Sequence, residues 1–339
     1  MSALPEIRVL FRAAAGTRRG FGHLVRCRSL ARALGVRPLV CVRGTGAARD
    51  VALRIGCDVV NGSAKRLLAA LKPDVLVIDD PIASHASGWI AAARAASLPV
   101  VTMHDLGLGC TDGDLVIDGS VTSPAPAARR HGAAGPSFSV LDPAVATTRA
   151  RLRRGVLVSL GGGPRIELAG SIAREIVRLA PWVKVRVAGG FVSATSSALQ
   201  ERQKNVTWVG PSANLLSELS RAKVAVVGGG VSLYEAAALG TASVGVPVVH
   251  AQRPTVAGFV SRGMALGSAN GRPNTRQIAD DVLKLLRDDL LRHRLGRNGR
   301  RLVDGRGSER AARAIGRLLD RHASLAARRA TGKGLRFAS

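Results

Sequence analysis

The sequence is poor in aromatic side chains and in acids. Phe, Trp and Tyr make up 3% of its 339 residues, and Asp and Glu number 23 against 50 Lys and Arg. So few aromatics leave little to stack nucleic-acid bases on, and no DNA- or RNA-binding motif is present. There are four cysteines, Cys27, Cys41, Cys57 and Cys110. None forms a CxxC pair or stands at metal-ligand spacing from a His, so they read as buried thiols of a reducing compartment. No uncharged apolar run approaches the roughly 18–20 residues of a spanning helix. The opening residues, MSALPEIRVLFR, run almost straight into a strand without a secretory apolar region. A cytoplasmic protein is expected.

Positive charge is abundant, with a formal net charge of +27. The arginines are spread over many expected helices rather than gathered in one block, which is the pattern of a genome-wide composition bias. The other reading is an anionic partner. Peripheral contact with an anionic membrane at the inner face stays open on this charge, whereas a specific nucleic-acid partner is not expected.

The chain is organised around residues 225–247, AVVGGGVSLYEAAALGTASVGVP. A buried parallel strand runs into Gly228, Gly229 and Gly230, and a helix opens at Ser232 and stops at Gly240. Glycines that let a backbone approach a ligand, followed by the free N–H groups of a helix N-terminus, make an anion site, with phosphate the expected guest. Ser232-Leu-Tyr-Glu235 also has the spacing of a capping box, which needs no ligand. No Lys follows the glycines, so this is not a Walker loop.

Before this stretch, strands over 7–11, 39–42, 58–60, 75–78, 100–103 and 115–117 alternate with helices over 23–34, 50–55, 65–71 and 89–96. Residues 123–146, rich in Pro, Ala and Gly, read as a crossing with a short strand over 138–141. The pattern then restarts, with strands over 156–160, 183–187, 206–209, 224–227 and 244–248 and a short one near 265–266. Helices are expected over 167–179, 194–202, 214–220, 232–239, 254–262, 275–287, 290–302 and 308–319. Such alternation predicts an α/β fold of two Rossmann-like, doubly wound parallel-sheet domains. The expected divisions are 1–146, 147–303, a helix over 304–325 packing back on the first domain, and a basic disordered tail over 326–339. Ligands of such sheets gather at the carboxyl ends of the strands, where His23, Asp79, Asp80 and Asp105 fall.

Two such halves with glycine turns resemble the GT-B architecture of nucleotide-sugar enzymes, MurG among them. Gly20-Phe21-Gly22-His23-Leu24-Val25-Arg26-Cys27 resembles the GxGHxxRC segment of the PseG/SpsG-like family. That family holds the UDP-sugar hydrolase of pseudaminic acid synthesis and the predicted glycosyltransferases of spore-coat polysaccharide synthesis. In order along the chain, Val77-Ile78-Asp79-Asp80 is similar to its strand-end acidic pair. His104-Asp105-Leu106 is similar to its DDL, with His for the first Asp, and Val158-Ser159-Leu160-Gly161-Gly162 to VSFGG. The segment Gly229-Gly230-Val231-Ser232-Leu233-Tyr234-Glu235 resembles GGSTTWE, Ala251-Gln252 resembles NQ, and residues 304–310, DGRGSER, match DGxGxER. The chain departs from the family where Ala13 and Ala14 follow Arg12 in place of an Asp, and where Gly163-Pro164 replaces the Ser-Asp of GGSDP. The sugar end of the site is therefore expected to differ.

The resemblance implies roles. Glu235 would accept from the ribose hydroxyls, with the capping box as the alternative. Ser232 and the N–H groups at Gly229 and Gly230 would hold the diphosphate. Gly22, Gly161, Gly162 and Gln252 would line the nucleotide-sugar site. His23 would be the general base, and Arg12, Asp79, Asp80 and Asp105 would bind sugar or orient the base. No metal and no cofactor is called for. The function implied is glycosyl transfer from a UDP-sugar to an acceptor hydroxyl of a glycan or lipid-linked sugar. The alternatives are a UDP-sugar hydrolase, with water as acceptor, and a non-catalytic nucleotide-sugar or polyanion binder.

Overall fold

A computed structural model describes residues 7–16, 20–104, 112–122, 132–149, 152–161, 165–191, 204–210, 214–268, 270 and 272–330. The first sheet is built from β1 (Val9–Ala14), β2 (Leu39–Arg43), β3 (Asp58–Val60), β4 (Val75–Asp79), β5 (Val100–His104), β6 (Leu115–Asp118) and β7 (Gly132–Ala134). Its strands are parallel, in the order β3-β2-β1-β4-β5-β6-β7. Helices α1 (Gly22–Leu34), α2 (Gly46–Arg54), α3 (Ala64–Leu71) and α4 (Ala83–Ala95) connect them. After the crossing helix α5 (Ala144–Thr147) comes a second parallel sheet. It holds β8 (Arg154–Ser159), β9 (Val185–Ala188), β10 (Val206–Val209), β11 (Ala222–Gly228), β12 (Ser243–Val246) and β13 (Leu266–Gly267), in the order β10-β9-β8-β11-β12-β13. Its helices are α6 (Ile166–Leu179), α7 (Leu215–Arg221), α8 (Val231–Ala238), α9 (Arg253–Ser261), α10 (Thr275–Arg287) and α11 (Asp289–Leu302); α12 (Gly307–Ala330) closes the described chain.

The central strands are apolar on both faces because helices cover both faces. In β4 every residue is buried. Val75 and Val77 join Phe11 and Ala13 in a core shared with α1, while Leu76 and Ile78 join Leu10, Trp89 and Ile90 in the core under α4. This two-residue alternation decides later which polar residues can meet. In each sheet the order of connection reverses once, between β1 and β4 and between β8 and β11. At such switch points the loops part and leave a crevice at the carboxyl edge.

The last helix returns to the first domain. Ala311, Ala314, Ile315 and Leu318 lie in the same core as Phe11, Leu24 and Leu30. Its entry is tight: a β-carbon on Gly307 would stand 2.0 Å from the Ser139 carbonyl oxygen, so only glycine fits. Ser308 Oγ donates to the Leu141 carbonyl there.

Several expectations are corrected. Residues 326–330 belong to α12 rather than to a disordered tail, and 331–339 lie outside the described residues. No strand forms over 138–141; Pro136–Phe138 is a 3-10 turn, and the strand of this region is β7. Pro136 has no N–H for a ladder, and Ser139 Oγ donates instead to the Gly119 carbonyl at 2.7 Å. The helix expected over 194–202 lies outside the described residues.

Ile315 is fully buried between α12 and the first sheet's core. Ile315→Ala should cost about 2–5 kcal/mol of unfolding free energy, read from urea denaturation. A loss below about 0.5 kcal/mol would show that α12 is an appendage rather than part of that core.

Candidate functional site

In the first domain the site grows from strand phase. Asp79 ends β4 two residues beyond Val77, so it faces α1. On α1, His23 and Arg26 are three apart and share a face. Arg26 Nε donates to Asp79 Oδ2 at 3.0 Å and its terminal Nη2 to Oδ1 at 2.7 Å. His23 Nδ1 lies 2.8 Å from the same Oδ1 and 2.8 Å from Arg26 Nη2. Burial pushes the Asp79 carboxyl up, but the charges and hydrogen bonds of Arg26 and His23 outweigh it and hold the pKa at about 2. The carboxylate is therefore ionised at neutral pH. With the proton on Nδ1, that N–H donates to the carboxylate and Nε2 keeps a lone pair; with the proton on Nε2, Nδ1 accepts from Arg26 instead. The His23 side chain keeps 15% exposure, so it is reachable.

Two residues expected beside His23 lie elsewhere. Asp80 takes a bidentate pair from Arg43, both contacts at 2.6 Å, and the Ile82 N–H at 3.0 Å. It ties the ends of β2 and β4 together, and the Arg43 hydrogen bond, against the effect of burial, holds its carboxyl below the usual range. Arg12 pairs in register with Ile78, whereas Ala13 pairs with Asp79. Arg12 therefore points to the opposite face, with its guanidinium 5.2 Å from the Trp89 ring centroid and Nη1 3.4 Å from the Cys41 carbonyl. Asp105 and Gly162 lie outside the described residues. Cys27, Cys41 and Cys57 are free and buried; Cys110 lies outside the described residues.

In the second domain the glycine turn has a steric cause. A β-carbon on Gly229 would stand 2.8 Å from Val256 Cγ2 and 3.1 Å from Gln252 Cβ. Glycine lets the turn after β11 pack on the 3-10 turn His250–Gln252. Gln252 Oε1 accepts from the Val248 N–H at 3.0 Å, and its Nε2 comes within 3.4 Å of a β-carbon built on Gly230. Gly161 follows β8, whose Ser159 pairs with Val227, so it reaches the same edge, exposed and at φ 93°.

Helix α8 starts at Val231 with Gly230 as N-cap, and no side chain caps it. Ser232 is thus the second helical residue and Glu235 the fifth, so the capping box is not formed. Glu235 is 6% exposed. Among the described residues its carboxyl has no hydrogen-bond partner. Burial, with the charge of Asp142, pushes it up to about 7, and Arg28 pulls the other way. Asp142, in the crossing, is itself held by Arg28 at 2.8 Å and Arg32 at 2.6 Å.

The two halves meet at helix N-termini: a β-carbon on Gly22 would lie 3.5 Å from Val231 Cγ2. The cavity there is lined by Arg26, Met103, His104, Gly230, Val231 and Tyr234, among others. Tyr234, the chain's single tyrosine, accepts from the Val121 N–H of the first domain at 2.8 Å and stacks edge-on to Phe259. Two positive helix ends converge there, which favours an anionic guest. His23, Asp79, Gly22, Gly229, Gly230 and Gln252 thus belong to the facing edges of the two domains. Sequence reasoning missed Arg26 and Tyr234, although Arg26 stands at helical spacing from His23. No group of three His, Cys, Asp or Glu suited to a metal occurs among the described residues.

No family model matches the chain. It is 27% identical over 190 residues to the spore coat polysaccharide biosynthesis protein SpsG of Bacillus subtilis, a match covering 51% of this chain and 54% of that protein. The chain therefore spans about half the length of the curated relative it matches. Among solved structures it superposes on the spinosyn rhamnosyltransferase SpnG with a TM-score of 0.65 at 17% identity, covering 93% of this chain and 100% of that one. The calicheamicin glycosyltransferase CalG4 gives 0.62 at 19% identity, with 94% and 99% covered. SpnG is also known in complex with thymidine diphosphate and with spinosyn aglycone. The fold is that of GT-B glycosyltransferases, two doubly wound domains facing across a cleft.

The Glu235 carboxyl, with a folded pKa of about 7, lies above an unfolded value of about 4.3. Between these values the folded chain binds the extra proton, so its stability falls as pH rises from about 4.3 to 7 and stays lower above, by on the order of 3 kcal/mol. Glu235→Gln removes that loss. Its melting temperature should exceed the parent's at pH 8, and the difference should vanish near pH 5. A pH-independent difference would contradict the raised carboxyl.

Proposed function

We propose that the protein transfers a glycosyl group from a UDP-sugar to an acceptor hydroxyl in glycan or polysaccharide assembly. The observation that carries this reading is the His23 imidazole, held by the ionised Asp79 and next in sequence to Gly22, which meets Val231 at the bare N-terminus of α8. The diphosphate sits on the N–H groups of Gly230, Val231 and Ser232, since the Gly229 N–H, expected to share this role, donates to the Val246 carbonyl at 3.0 Å, with the Ser232 hydroxyl and Gln252 amide beside it. Glu235 accepts from the ribose hydroxyls. The acceptor oxygen attacks the anomeric carbon while His23 Nε2 takes its proton. The bond from that carbon to the phosphate oxygen breaks, and its electron pair leaves on the diphosphate, stabilised by the helix end. The new imidazolium rests against Asp79.

The likeness to SpsG and to named glycosyltransferases supports transfer over hydrolysis. The reading extends to a cytoplasmic protein that meets a lipid-linked acceptor at an anionic membrane face, supported by the net charge of +27. No described helix is long and apolar enough to cross a membrane.

His23→Ala should separate chemistry from binding. Acceptor-dependent UDP release from a panel of UDP-sugars, with host glycan or lipid extract, should fall by roughly 10²–10⁴. UDP affinity by calorimetry should stay within about twofold, because the His23 side chain meets the acceptor oxygen rather than the nucleotide. Turnover surviving within a few-fold would remove His23 as the base.

A further inference from the structure

The cavity wall holds one unpartnered polar atom among the described residues. His104 ends β5 and lines the cavity opposite Gly230, Val231 and Tyr234. Its Nδ1 is buried and has no hydrogen-bond partner among the described residues. Buried polar atoms of this kind are uncommon, and each calls for an explanation such as a ligand contact or an ordered water. The other polar side chains of the cavity wall are engaged. Arg26 holds Asp79, Ser139 donates to the Gly119 carbonyl, and Tyr234 accepts from Val121.

The chemistry of the opposite wall narrows what His104 can meet. The N-terminus of α8 presents N–H donors with no side-chain cap. A neutral imidazole nitrogen can donate or accept, but a group that also satisfies those N–H donors must be rich in acceptor oxygens. A phosphate meets that demand from both walls. An Asp in this place, as in the motif this segment resembles, would put a second acceptor charge against it.

We infer that His104 is a ligand-contacting residue of the first domain, donating from Nδ1 to an oxygen of the diphosphate held by α8. The inference rests on the nucleotide-sugar reading of this site and adds to it a contact from the facing domain. Diphosphate binding then draws both domains onto one group, while binding of the nucleoside alone does not.

Calorimetric titration of the full chain with UDP, UMP and uridine tests this, using His104→Ala, His104→Asn and His104→Asp, each checked for an unchanged ligand-free melting temperature. UDP affinity should fall about tenfold in His104→Ala, UMP affinity less, and uridine affinity not at all. His104→Asn keeps a donor close to the Nδ1 position and should bind UDP within about threefold of the parent. His104→Asp should bind UDP more weakly than His104→Ala. UDP affinity unchanged in His104→Ala overturns the inference and leaves a buried water as the partner of Nδ1, with the wider reading intact. Equal losses for UDP and uridine overturn it in favour of a packing role. A parent protein that binds none of the three ligands overturns both this inference and the nucleotide-sugar reading.

Discussion

A buried carboxylate organises the first half of the site. Asp79 is 1% exposed, and a charge so placed is tolerable only when paired and hydrogen-bonded. Arg26 supplies both from the first turns of α1, and the same pair fixes the His23 ring. Ion pairs of this kind add little net stability compared with apolar packing. What this one contributes is position, since a helix that slid or rotated would strand the charge. Strand alternation aims Asp79 at α1, and helical spacing brings two basic side chains to meet it.

The second half of the site is organised by the absence of a Cβ. Gly229 lets β11 turn against Gln252 and Val256, and Gly230 caps α8 without a side chain. The helix end is therefore bare and faces α1, another helix N-terminus. Facing positive ends repel one another, and an anion relieves that repulsion. The domains are tied on the flanks instead, by α12 in the first core, by Asp142 between Arg28 and Arg32, and by Tyr234 on Val121.

Much of this was legible in the sequence. The strand and helix alternation carried the two sheets, because buried parallel strands read as β-branched runs. The glycine stretch and the GxGH segment marked the facing edges. The errors came from phase and from backbone. Asp79 and Asp80 are neighbours on a strand end and cannot both face α1, and Arg12 is out of phase with Asp79. Extended-chain periodicity shows this once the strand limits are known, and at β1 the expected limits lay two residues early at the start and three residues early at the end. The capping box failed because Gly230 took the N-cap, a choice made by backbone dihedrals that Ser232 and Glu235 do not reveal. The Glu235 carboxyl, without a partner among the described residues, and the pairing of Asp142 depend on contacts between distant segments, which no local pattern carries.

The central claim is that one ligand engages both helix N-termini at once. Amide hydrogen exchange with and without saturating UDP measures this directly. The account predicts added protection over residues 22–26 and 229–235 together, with little change at the outer strands. Protection confined to one domain, or centred away from the two switch points, would contradict it.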